Sequence, residues 1–141
     1  MNINLITLHK KIQANNIRLY DFKDNKAPQG TTIESCGQYG IFLNRRKIEN
    51  EDEEFCVTVH EYGHCATGTT HKVCSKFDLI EKHEYKANKK SITDFLPLRK
   101  LQKAFDADCR EIWQIAEFLD LPYKFVEMGV NYYKQTGKLI S

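Results

Sequence analysis

The sequence predicts an α+β fold, in which a small N-terminal sheet precedes a largely helical remainder. Residues 17–44 contain short segments rich in β-branched and aromatic residues, separated by loops with glycine and proline. From about residue 51 onward, apolar residues recur at the 3.6-residue spacing of helices. Neither a repeat nor a shift in composition divides the 141 residues, so we expect one domain, residues 1–141, with a single core.

The N-terminal elements are predicted from local patterns. Apolar residues at helical spacing predict a helix over residues 3–14, which ends at an Asn-Asn pair. Segment 17–22 alternates in polarity and is rich in β-formers, so we predict a strand there. Segments 31–35 and 41–44 are joined by the turn-like CGQYG, and we interpret them as a β-hairpin or meander.

The remainder is predicted to be helical, over residues 51–66, 77–92 and, as a set of C-terminal helices, 99–136. Asn50 can cap the first of these helices, and Glu53 follows three residues later in a capping-box arrangement. The acidic run EDEE lies where the helix dipole favours negative charge. This run therefore has a structural explanation and needs no catalytic one.

Composition and charge limit the classes of function. Apolar residues make up 41% and charged residues 28% of the chain, and the formal net charge is +2, so nothing requires a nucleic-acid or membrane partner. No apolar run is long enough to span a membrane, and the N-terminus lacks the features of a signal peptide. Five cysteines without a CxxC pair predict free thiols, so we expect a cytoplasmic protein.

The stretch TVHEYGHC, residues 58–65, carries the pattern His-Glu-x-x-His on a predicted helix. His60 and His64 are one turn apart, so both can reach one ion. Glu61 is turned by about 100° from His60, which lets its carboxylate reach a water molecule without taking a ligand position. The pattern is typical of zinc hydrolases, in which the glutamate is the general base. The alternative is an ordinary buried helix with two hydrogen-bonded histidines.

A catalytic zinc ion needs a third protein ligand and an open position for water. The candidates downstream of the motif are His71, Cys74, Asp78, Glu81, His83 and Glu84. Glu84 shares a helix face with Ala87, whose small side chain lets two helices approach each other. Glu81, one turn earlier, is its main rival. Another possibility is a closed structural zinc site formed by Cys65, His71 and Cys74, although the spacing of these residues along the sequence is irregular.

Together, IFLNRRKIENEDEEFCVTVHEYGH and the later EYKAN resemble the ImmA/IrrE family of metallopeptidases. The family pattern is a strand that ends in Leu-Asn, a helix with His-Glu-x-Gly-His, and a later Glu-x-x-Ala-Asn on a second helix. The resemblance covers about residues 17 to 134, with its specific parts in 41–64 and 84–97. Tyr62 stands where the family usually has leucine, and the segment after Asn88 is more basic than usual.

The resemblance implies a zincin-like fold and a zinc-dependent endopeptidase. The zinc ligands would be His60, His64 and Glu84, and the general base would be Glu61. The substrate would be a protein, a helix-turn-helix repressor of a phage or mobile element. If strand 41–44 is a sheet edge, an extended peptide can pair with it. Tyr39 and Tyr85 are candidates for a second oxyanion donor.

Residues 114–133 carry a separate signal. Their apolar spacing and Pro122 fit a helix-turn-helix, which supports an alternative function as a DNA-binding regulator with a structural metal site. The exposed residues of its second helix would be Lys124, Glu127, Asn131 and Lys134. This face is mixed in charge, whereas a DNA reader carries a basic stripe, so we do not expect direct nucleic-acid binding. The competing interpretation is helices packed on the core through Trp113, Phe118, Leu119, Phe125, Val126 and Met128.

Overall fold

The computed structural model describes residues 2–69 and 77–139, with side chains at all of these except 77–79. This part of the chain contains six helices and a three-stranded sheet, so the α+β class is confirmed. In chain order the elements are α1 (Ile3–Ala14), β1 (Arg18–Phe22), β2 (Gly30–Ser35), β3 (Gln38–Asn44), α2 (Glu51–Thr67), α3 (Phe77–Phe95), α4 (Leu98–Asp106), α5 (Ile112–Leu119) and α6 (Tyr123–Gln135). No helix in the described residues is long and apolar enough to cross a membrane.

The sheet has the strand order β1-β3-β2. The predicted hairpin is confirmed, because β2 and β3 pair antiparallel around a turn at Cys36 and Gly37, which have φ angles of 53° and 78°. β1 pairs in parallel with the other side of β3. The expectation that strand 41–44 could be a sheet edge is therefore wrong. It belongs to the central strand β3, and β1 and β2 are the edge strands of the sheet as far as the structure describes it.

The chain forms two compact units, Met1–Lys90 and Ser91–Ser141. In the first unit, α1 and α2 contact each other and one face of the sheet. The core between them consists of apolar side chains that are at most 2% exposed: Leu5, Leu8, Ile12, Ile41, Leu43, Phe55 and Val59. Alternate residues of β3 thus point toward the helices, as the two-residue period of a strand requires.

The buried side chain of Asn44 organises the chain before α2. Its Oδ1 accepts a hydrogen bond from the Asp24 N–H at 3.0 Å, and its Nδ2 donates to the carbonyls of Asp24 and Ala27 at 2.7 and 3.0 Å. The next residue, Arg45, donates to Glu54 of α2 at 2.6 Å. These contacts fix the loop after β1 and the start of α2 relative to the end of β3.

In the Ser91–Ser141 unit, α5 and α6 pack through Ile115, Ala116, Phe125 and Val126, all at most 8% exposed. The prediction that Trp113 and Phe118 are core residues is wrong, since they are 53% and 50% exposed. The buried face of α5 is centred on positions 112, 115, 116 and 119, and both aromatic residues lie about 110° from its centre on a helix of 3.6 residues per turn. Leu119 and Met128 are half-buried.

The second helix of the proposed helix-turn-helix is α6, and it begins after Pro122 as the sequence predicted. Its exposed residues include the four named above, Lys124, Glu127, Asn131 and Lys134. Its buried residues include Tyr133, whose hydroxyl donates to the Leu96 carbonyl at 2.9 Å.

Candidate metal centre

Helix α2 carries the His-Glu-x-x-His motif and is fixed at its start by Asn50. The Asn50 side chain accepts a hydrogen bond from the Glu53 N–H at 2.9 Å, as the predicted cap requires. The second hydrogen bond of a capping box, from the Asn50 N–H to the Glu53 carboxylate, is not formed. The Glu53 carboxylate accepts a hydrogen bond from the Glu49 N–H at 2.8 Å instead. The apolar face of α2 is buried, and this fixes the direction in which the two histidines point.

The structure brings together His60, His64 and Glu84. The Nε2 atoms of the two histidines are 3.3 Å apart. Each of them lies 3.2 Å from an oxygen of the Glu84 carboxylate, His60 from Oε2 and His64 from Oε1. One donor atom from each residue can therefore be chosen so that all three lie within 4.8 Å of one another, and the cluster could hold a metal ion.

The spacing and type of these donor atoms suit zinc. Two ligands at about 2.0–2.1 Å from a tetrahedral zinc ion lie about 3.3–3.4 Å from each other. The observed separations of 3.2–3.3 Å are close to that value. Two imidazoles and one carboxylate are also a donor set that zinc prefers. The side chains of His60 and Glu84 are 38% and 36% exposed, so the cluster is open to solvent on one side.

His64 is buried, with 4% of its surface exposed. Burial, together with the nearby imidazole of His60, lowers the pKa of His64 below the ordinary value for histidine. The neutral form of this imidazole is thus favoured, and only the neutral form can bind a metal. Its Nδ1 atom is 2.9 Å from the carbonyl oxygen of Thr69 and 3.2 Å from the Thr69 hydroxyl.

Glu61 is held by a residue of the sheet. The Thr32 hydroxyl on β2 donates a hydrogen bond to Glu61 Oε2 at 2.6 Å. Gly30, on the same face of β2, allows the strand to lie close to α2, because a Cβ atom there would be 2.5 Å from Val57 Cγ1 and 3.4 Å from Glu61 Cγ. The edge strand β2 thus contacts the candidate base through Thr32.

Of the other candidate ligands, those that the structure describes are not part of the cluster. Glu81 is exposed and is not part of the cluster, and neither is the half-buried His83. His71 and Cys74 lie outside the described residues, as does the side chain of Asp78. The Cys65 thiol points toward the Thr32 hydroxyl, 4.0 Å away, and burial raises its pKa to about 12. Two of the three residues of the closed structural site lie outside the described residues, so that site stays a prediction.

The two tyrosines proposed as oxyanion donors differ in position. Tyr85 is 55% exposed on α3. The Tyr39 hydroxyl lies beside Gly68 at the end of α2, 3.5 Å from where a Cβ atom on that glycine would be. No local sequence pattern selects Thr32 or Thr69, because the role of each depends on which residue it contacts in the folded chain.

Comparisons with protein-family profiles, with curated proteins and with solved structures find no match for this chain.

Proposed function

We propose that this protein is a zinc-dependent endopeptidase of the ImmA/IrrE type, with a zincin-like fold, that acts in the cytoplasm on a helix-turn-helix repressor of a phage or mobile element. The convergence of His60, His64 and Glu84 beside Glu61 carries the proposal, because this is the residue set that the resemblance implies. The repressor as substrate rests on the resemblance alone.

The openness of the cluster supports a catalytic rather than a structural metal. A structural zinc site is closed by four protein ligands, whereas a catalytic site has three and keeps a position for water. Among residues 2–69 and 77–139 the cluster has three members, and two of them are more than one-third exposed. Zinc bound there would polarise a peptide carbonyl and lower the pKa of a bound water molecule toward about 7.

The residues around the cluster are suited to proton transfer. Glu61 Oε2 is hydrogen-bonded to Thr32, so Oε1 remains to take a proton from the attacking water and deliver it to the leaving amine. Because Thr32 lies on the edge strand β2, a substrate segment that pairs along this edge would pass close to Glu61. The peptide-binding edge is therefore β2, in place of the strand suggested by the sequence.

The test is the Glu61→Gln variant. It should bind zinc as the wild type does, because Glu61 is not a ligand, and it should lose cleavage by about two orders of magnitude or more because the amide cannot accept a proton. Glu81→Gln, the same change at an exposed carboxylate outside the cluster, is the control and should keep both properties. Cleavage is measured by mass spectrometry on the purified helix-turn-helix repressor that is proposed as the substrate. Cleavage by Glu61→Gln at the wild-type rate contradicts the proposal.

A further inference from the structure

The C-terminal end of α2 turns back over one of its own histidines. Gly68 follows the helix in the left-handed conformation, with φ 65°. The N–H groups of Gly68 and Thr69 then bond to the carbonyls of Cys65 and His64, at 3.3 and 3.0 Å. We call residues 67–69 the cap turn. It places the carbonyl and the hydroxyl of Thr69 against His64 Nδ1.

The direction of the hydrogen bonds in the cap turn can be worked out. The Thr67 hydroxyl donates its only hydrogen to the Gly63 carbonyl at 2.7 Å. The hydroxyls of Thr67 and Thr69 are 2.6 Å apart, so Thr69 must be the donor in this second bond. Only the lone pairs of the Thr69 hydroxyl then remain for His64. Since the Thr69 carbonyl is also an acceptor, His64 Nδ1 faces two acceptor oxygens of Thr69.

We infer that the cap turn holds neutral His64 in the tautomer that carries its hydrogen on Nδ1, so that the Nε2 lone pair faces His60 and Glu84. Thr67, Gly68 and Thr69 are thus positioning residues for the metal centre. This inference rests on the metal site of the proposed function. Thr69 is 4% exposed, so bulk water cannot easily replace its oxygens, and the tautomer is set by the protein.

His60 differs from His64 in this respect. It is more exposed, and within the described residues its Nδ1 makes no hydrogen bond, whereas its Nε2 lies 3.2 Å from Glu84. We therefore expect one ring of the pair to have a fixed tautomer and the other to lack this constraint. The two histidines of a single sample provide an internal comparison.

The first readout is the position of the ring hydrogen. Long-range ¹H–¹⁵N NMR spectra of the metal-free protein in alkaline buffer distinguish the two neutral tautomers of each histidine. We expect the Nδ1–H form for His64 in the wild type. Gly68→Val should lose this preference, because a β-branched residue is strained at a positive φ and the turn must change to relieve it. Among the described residues the nearest atom to a Cβ at Gly68 is the Tyr39 hydroxyl at 3.5 Å, an ordinary van der Waals distance, so the strain comes from the backbone conformation.

The second readout is zinc affinity, measured by competition with a chelator. Loss of a hydrogen-bond partner of a ligating histidine costs about 10- to 100-fold in metal affinity, and we expect a loss of this size in Gly68→Val. The separate variant Gly68→Asn should keep wild-type zinc affinity, because asparagine tolerates the left-handed conformation. Gly37→Val is the matched control: Gly37 lies in the hairpin turn with φ 78°, and no atom of the described residues comes within 4 Å of its Cβ position. Its affinity should equal that of the wild type.

Two results would overturn the inference: an Nε2–H tautomer of His64 in the metal-free wild type, or wild-type zinc affinity in folded Gly68→Val. If Gly68→Val does not fold, Thr69→Val takes its place. It removes the hydroxyl and keeps the carbonyl, so a loss of up to about tenfold is expected. Unchanged affinity there refutes the role of the hydroxyls. If the wild type binds no zinc, the proposed function fails, while the NMR readout still decides the tautomer.

Discussion

Replacing Glu84 with alanine should weaken metal binding by about two orders of magnitude while the fold is kept. The side chain is 36% exposed and its carboxylate contacts both imidazoles of the cluster, at 3.2 Å each. Ala87, three residues later on the same helix, is fully buried, so this part of the buried face of α3 is left unchanged. The change therefore deletes a ligand without opening a cavity in the core.

The size of the effect follows from the number of ligands. A structural zinc site contributes about 10–16 kcal/mol through four ligands, or about 3 kcal/mol per ligand, which corresponds to about a 100-fold change in Kd. At a zinc concentration about 1,000 times the wild-type Kd, bound metal stabilises the wild type by about 4.1 kcal/mol. The same concentration is about 10 times the Kd of Glu84→Ala and gives about 1.4 kcal/mol. The difference of about 2.7 kcal/mol corresponds to a fall in Tm of roughly 5–10 °C.

The assay combines zinc content by elemental analysis with thermal unfolding at several zinc concentrations. Glu81→Ala is the control, because Glu81 lies one turn earlier on α3, is exposed and does not belong to the cluster. It should bind one zinc ion per chain and show the full zinc-dependent rise in Tm. Without zinc, the three proteins should unfold at similar temperatures. The assignment of Glu84 is refuted if Glu81→Ala loses the metal and Glu84→Ala keeps it.

Three further predictions follow from the described residues. Burial lowers the pKa of His64 in the folded protein below its value of about 6.5 in the unfolded chain, so the unfolded state binds a proton first as the pH falls. The metal-free protein should therefore lose stability below about pH 6.5. Unfolding titrations that show no such loss contradict this prediction. A thiol reagent should modify the exposed Cys36 before the buried Cys65, because burial raises the pKa of the Cys65 thiol to about 12. If mass spectrometry shows the reverse order of modification, Cys65 is not buried. Helices α5 and α6 should not give specific duplex binding in a gel shift at near-physiological salt; nanomolar, sequence-specific binding would favour the regulator.

The elements of this fold could be predicted because their signals are local. Asn50 caps α2 through a backbone N–H three residues away, and Pro97 and Pro122 directly precede helices. Gly68 ends α2 because only a residue tolerant of positive φ fits there. Each signal acts within about one helical turn, so it can be read without knowledge of the rest of the chain.

The central position of β3 could not be predicted in the same way. Its pairing with β1 is parallel and joins Leu19 to Ile41, and no turn chemistry specifies such a contact. The prediction for Trp113 is wrong because a large apolar side chain indicates a core position by residue type alone. The buried face of α5 is narrow, and Trp113 lies outside it.

The candidate site was predictable only in part. His60, Glu61 and His64 form a contiguous motif, whereas the choice of Glu84 over Glu81 depends on how α3 is rotated toward α2. Ala87 was the one local signal for that rotation, because a small residue permits close approach. Thr32 lies 29 residues before Glu61, and its role depends on the register of β2 in the sheet.

The last prediction concerns substrate selectivity. Strand β2 is six residues long and lies at the edge of the sheet that the described residues form, and its Thr32 is hydrogen-bonded to Glu61. A substrate must therefore supply an extended segment that pairs along this edge and carries its scissile bond past the base. Folded proteins offer such segments only at linkers or where a helix opens locally. We expect little activity on casein and a single main cut in the cognate helix-turn-helix repressor.

Selectivity of this kind has a direct test. The purified protein is incubated with the repressor and, separately, with casein, and the fragments are read by mass spectrometry. A chelator should abolish the cut and added zinc should restore it, because the centre at His60, His64 and Glu84 loses its metal. Rapid degradation of casein with the repressor left intact would mean that an edge strand near the base does not restrict access. In that case the protein would be a general zinc peptidase, and the repressor would no longer be its substrate.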